Sequence, residues 1–138
     1  MKKFFHPVGW LIFATLFMGM ATTLTLVGPV ESMEAAGLST TDADVANFVW
    51  LSLVFSAGYL FAAAGIGAVT RGAVRAKLVI GYGASLLFWV VLGGYVIVGP
   101  VVGLMNFAPD GGAIPIVASL GLIISGFLHL NDSEKVEV

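Results

Sequence analysis

Residues 46–69 read ANFVWLSLVFSAGYLFAAAGIGAV and contain no Asp, Glu, Lys or Arg. A helix rising 1.5 Å per residue needs about 20 apolar residues to cross about 30 Å of hydrocarbon, so this run has membrane length. It lacks the apolar/polar alternation of a barrel strand. Backbone groups in lipid must be satisfied within their own segment, which leaves a helix. Residues 7–28, 78–99 and 113–130 have the same character. The expected fold is an all-α integral membrane protein, a four-transmembrane-helix bundle forming a single transmembrane domain over residues 1–138.

Composition agrees with this reading. Of 138 residues, 59% are hydrophobic and 10% charged, and the mean hydropathy is +1.03. A water-soluble surface needs roughly a quarter of its residues charged, so a soluble enzyme, a nucleic-acid binder and a disordered regulator are excluded. Cysteine is absent, which removes disulfides, thiolate metal sites and lipidated Cys from consideration. Met1-Lys2-Lys3 ahead of an apolar run looks like a signal peptide. However, residues 8–28 are longer than the ~7–15 residues of a signal core, and they read as an uncleaved first span.

Helix punctuation supports the same boundaries. Gly28-Pro29 and Gly99-Pro100 stop the first and third helices. Thr40-Thr41-Asp42-Ala43-Asp44 opens the second with a hydroxyl or carboxylate cap and two acids at the positive end of the dipole. Pro109-Asp110-Gly111-Gly112 reads as a turn before the fourth. The outer loop, residues 29–41, has a short helical pattern around Val30–Ala36, and the tail, residues 131–138, is polar and expected to be flexible. Val27-Gly28-Pro29-Val30 recurs as Val98-Gly99-Pro100-Val101, either a duplication or a repeated stop signal.

Charge sets the expected topology. Lys2, Lys3, Arg71, Arg75, Lys77 and Lys135 fall on one side of a four-helix zigzag, whereas Glu31, Glu34, Asp42, Asp44 and Asp110 fall on the other. By the positive-inside rule both termini and residues 70–77 are cytoplasmic, in the plasma (inner) membrane of a prokaryote, with the acids left outside by default.

Each helix carries small, hydroxyl or aromatic residues at helical spacing: Thr15, Gly19 and Thr22 in the first, and Ser52, Ser56, Tyr59, Ala63 and Gly67 in the second. The third carries Tyr82, Ser85, Trp89 and Gly93, and the fourth Ala118, Gly121, Ser125 and His129. Lipid supplies no hydrophobic drive between helices, so such stripes either pack against neighbours or line a solute path. Trp10 and Trp50 suit interfacial positions, and Trp89 lies mid-span.

The spans carry no ionisable Asp, Glu, Lys or Arg. A proton- or ion-coupled transporter works through a charge of that kind, and carboxylate catalysis at membrane depth needs one. No catalytic or metal-binding motif is present. His6 and His129 stand near the same interface. As a pair they are candidate haem ligands, and otherwise solvated histidines, so no cofactor is assigned.

The expected role is therefore a non-catalytic small polytopic subunit. Its partners would be membrane lipids and either other transmembrane subunits of a larger complex or copies of itself, with no nucleic acid. Two alternatives remain: a homo-oligomeric channel or carrier for a small neutral or lipid-like solute, and a haem- or quinone-associated electron-transfer subunit.

Overall fold

A computed structural model describes residues 2–35, 37–88 and 109–132. These residues are all-helical apart from short turns, with no strand among them. α1 spans Pro7–Val27, with Pro7 in the first turn, where its missing N–H costs nothing. Gly28 N–H closes the helix on Leu24 O at 3.1 Å. Pro29 then opens α2, Pro29–Ala35. Its Met33 is buried, and the helix rests against α1 and α3. The chain leaves α2 through Gly37, whose φ of +70° lets Gly37 N–H reach Glu34 O and Leu38 N–H reach Met33 O, both at 2.9 Å.

α3 spans Asp42–Val69 and begins on Thr41, whose Oγ1 accepts from Asp44 N–H at 3.3 Å. The Ser39 and Thr41 hydroxyls each donate to Asp44 Oδ2 at 2.6 Å, a reciprocal cap at the positive end of the dipole. α4 spans Gly72–Ser85 and continues into a π turn at residues 86–88. α5 spans Pro109–Leu128.

Three helices start before the apolar runs do. α3 begins at Asp42 rather than residue 46, α4 at Gly72 rather than 78, and α5 at Pro109 rather than 113. A hydropathy run starts where charges and turn residues stop, whereas a helix starts where its first N–H groups find a cap. The expected loop at residues 70–77 thus shrinks to Thr70-Arg71. Gly72, at φ +54°, makes the reversal, and Arg75 Nη2 donates to Gly67 O at 3.0 Å and to Thr70 O, covering the last carbonyls of α3. The expected turn at Pro109–Gly112 lies within the first turn of α5. α5 ends at Leu128, so His129 falls in the turn after the helix, its N–H on Gly126 O at 3.1 Å. Residues 89–99 of the third run, the second Val-Gly-Pro-Val motif and the tail from residue 133 lie outside the described residues.

α4 packs most extensively against α5, α1 packs against α3 and α5, and α3 touches α4 more lightly. The buried cluster is small and central: Leu11 and Ala14 of α1, Ala63 of α3, Val79 and Tyr82 of α4, and Ala118 and Leu122 of α5, with Leu86. Residues Pro7–Leu24 and Asp42–Val69 are long and apolar enough to cross a membrane, and Ile114–Leu128 is apolar but shorter.

Candidate functional site

The α4–α5 seam is closed by glycine. A Cβ built on Gly83 would stand 2.8 Å from Leu122 Cβ and 2.9 Å from Ser119 O, and one on Gly126 would stand 2.7 Å from Ala76 O. No real Cβ sits that close, so the two backbones approach as only small residues permit. Gly121 is covered in the same way by the ring of Trp10, bringing α1 onto α5. Trp10 in turn stacks on Phe5 at 5.7 Å and meets Phe13 edge-on at 5.6 Å. The buried Ser119 and Ser125 hydroxyls donate to Pro115 O at 2.6 Å and Leu122 O at 3.0 Å within α5, so the protons of both are spent inside the helix. The space between Ala14, Phe17, Met18, Leu86, Pro115 and Ala118 amounts to about 10 Å³, the lower limit for one water.

The stripe residues Thr22 and Ser56 meet across α1 and α3, Thr22 Oγ1 donating to Ser56 Oγ. On the next interface the Tyr59 and Ser85 hydroxyls share a hydrogen bond at 3.1 Å, and Tyr82 OH donates to Tyr59 O at 3.1 Å. The two tyrosine rings meet edge to face at 5.5 Å. These hydroxyls join helices, α1 to α3 and α3 to α4. Thr15 and Ser52 are half-buried, and a Cβ on Gly19 would meet nothing within 4 Å. Trp89 and Gly93 lie outside the described residues.

Beside the tyrosines, α3 and α4 diverge into an open groove of about 550 Å³. Its walls are apolar, from Val54, Phe55, Ala62 and Ile66 on α3 to Leu78 on α4, with Lys77 at the end next to the Thr70-Arg71 turn. Gly58 and Gly81 form part of the floor, and a Cβ on either would meet nothing within 4 Å. Its lining takes Tyr59, Tyr82 and Ser85 from the stripes legible in the sequence and Lys77 from the cytoplasmic charges, whose cluster with Arg71 and Arg75 suits anionic lipid head groups or topology alone, whereas Gly58 and Gly81 belong to neither. Their helical spacing was visible, but the neighbour missing opposite them was not.

His6 and His129 do come together, ring centroids 5.8 Å apart and planes at 71°. His129 Nδ1 is engaged by Asp132 Oδ2, and Lys2 Nζ bonds Asp132 Oδ1 at 2.9 Å. His129 Nε2 is buried without a partner among the described residues. The Lys2 hydrogen bond first, and the His129 one second, hold the Asp132 carboxyl below its ordinary range. No three His, Asp or Glu side chains converge on a common point among the described residues.

Comparison with known proteins finds no matching family model, no matching curated protein and no matching solved structure.

Proposed function

We propose that this chain is a four-span membrane protein of a prokaryotic plasma membrane. Both termini and the Thr70-Arg71 turn face the cytoplasm, and the chain works as a non-catalytic subunit that packs against other transmembrane helices or copies of itself. The observation that carries this reading is the state of α3. Of its 28 residues only Ser56 and Ala63 are buried and 17 are exposed, so much of its apolar surface is left uncovered by the described residues. On that surface Trp50, Val54, Ala57, Phe61, Ala64 and Ala68 are all exposed and follow one another at steps of four and three residues. This is the spacing of a left-handed knobs-into-holes seam, and the small residues give a partner helix close approach.

Two further features support the interaction role over a solute path within one chain. The centre among α1, α4 and α5 is filled, and the interhelical hydroxyls bond one another rather than facing a lumen. The proposed orientation places Lys2, Lys3, Arg71 and Lys77 at the cytoplasmic face. The described contacts gather that end: Leu11 lies beside Gly67, Ala76 beside Gly126, and Lys2 beside Asp132.

The absence of cysteine makes a clean test available. Single cysteines at Ala57, Ala64 and Ala68 should cross-link to a neighbouring chain in native membranes, while one at Leu53 or Leu60 should do so far less. Uniform or absent cross-linking along α3 would contradict the seam. An impermeant thiol reagent should label Glu34→Cys from outside the cell and leave Arg71→Cys unlabelled, and the reverse would overturn the orientation.

A further inference from the structure

We propose that the α3–α4 groove is a binding site for one acyl chain of an anionic phospholipid, with the lipid's phosphate drawn to Lys77. This rests on the membrane orientation proposed above and adds a ligand that orientation alone does not require.

Size is the first argument. The groove, at about 550 Å³, falls in the roughly 300–1,000 Å³ range of small-molecule sites. Length is the second. On α3 the lining runs from Val54 to Ile66, which at 1.5 Å per residue is about 18 Å of helix. One leaflet of a ~30 Å hydrocarbon core is about 15 Å deep. The groove starts beside the Thr70-Arg71 turn and extends inward by about one leaflet.

Polarity distinguishes its two ends. Along the walls the Tyr59, Tyr82 and Ser85 hydroxyls are already bonded to protein, so the channel offers a ligand mainly hydrocarbon contact. Among the described residues Lys77 is the only charged side chain lining it, and it forms no ion pair with any of them. Arg75, one turn away, is committed to the carbonyls that end α3. An apolar slot of leaflet depth with one unpaired cation at its mouth matches an acyl chain whose head group is anionic.

Native mass spectrometry of the detergent-purified full chain, titrated separately with phosphatidylglycerol and phosphatidylcholine, tests this. The wild type should bind phosphatidylglycerol about fivefold more tightly than phosphatidylcholine, the factor expected for one lysine at an anionic surface. Lys77→Gln should abolish that preference. Gly81→Leu and, independently, Gly58→Leu should displace the bound chain of either lipid by filling the floor, where an added side chain meets open space. Gly19→Leu, equally unobstructed but on α1, should bind as the wild type does. Equal affinity for the two lipids in the wild type, or undiminished adducts in both glycine variants, would overturn the proposal. A change in particle mass belongs to the subunit reading and leaves this result untouched.

Discussion

The two faces of α4 use glycine in opposite ways. Toward α5, Gly83 is pressed under Ser119 and Leu122, with no room for a methyl group on either partner backbone. Toward α3, Gly81 sits two residues away on the same helix and faces open space. One helix therefore carries a closed seam on one side and an open groove on the other. A small residue permits close approach, but whether a neighbour takes up that permission depends on what the opposite helix presents. α5 answers with Ser119, Leu122 and Gly126. α3 answers with Gly58 and Ala62, and between two such surfaces a gap remains unless the helices touch.

Substitutions that crowd the closed seam should have the largest effects. Gly126→Leu would drive a branched side chain into Ala76 and Ile80, costing at least the ~1–3 kcal/mol typical of overpacking. A thermal scan of the detergent-solubilised protein should show a lowered or lost transition. Gly121→Ala should cost a similar ~1–3 kcal/mol by meeting the Trp10 ring, and Trp10→Leu should recover part of the loss in a double-mutant cycle. Next comes Thr22→Val, which removes the hydroxyl bond to Ser56 and should lower stability by about 0.6 kcal/mol, up to about 1.7. In the open groove the sign reverses. Gly81→Leu should leave the melting transition unchanged or raise it by the equivalent of up to about 1 kcal/mol, the gain in helix propensity over glycine.

The smallest effect concerns the chain ends. Asp132 titrates below its ordinary range when folded, so its contribution is present above the unfolded carboxylate range and is lost as pH falls through the lowered folded value. The carboxyl is partly exposed and its contacts are at the chain ends, so the loss should be slight. It should register as release of the Lys2 contact, read by amide exchange of residues 2–6 against pH, and should vanish in Asp132→Asn.

The helices themselves were legible because their causes are local. Pro7 and Pro29 open helices, Thr41 with Asp44 caps one, and long uncharged runs carry them onward. Helix starts were legible only in part. Residues 72–77 carry Arg75 and Lys77, which hydropathy assigns to a loop, yet Gly72 and the Arg75 cap let the helix begin there. The hydroxyl stripes were visible as spacing, but their pairings of Thr22 with Ser56 and Tyr59 with Ser85 depend on which helices become neighbours, and no local signal carries that. The groove depended on an absence, the side chains that Gly58 and Gly81 lack where no neighbour among the described residues fills in. The α3 seam was readable in principle. Trp50, Ala57 and Ala64 stand seven residues apart, but a pattern mixing Trp with Ala is easily lost within a uniformly apolar run.

The most direct test of the interaction role is the mass of the particle extracted from native membranes in a gentle detergent, for the wild type and for Ala64→Trp, whose added ring would project from the exposed seam. The wild-type particle should lie well above one 14.4 kDa chain after subtraction of detergent and lipid, and Ala64→Trp should shift it toward the single chain with its helix content unchanged. A wild-type particle of one chain, or an assembly indifferent to Ala64→Trp, would contradict the interaction role of α3.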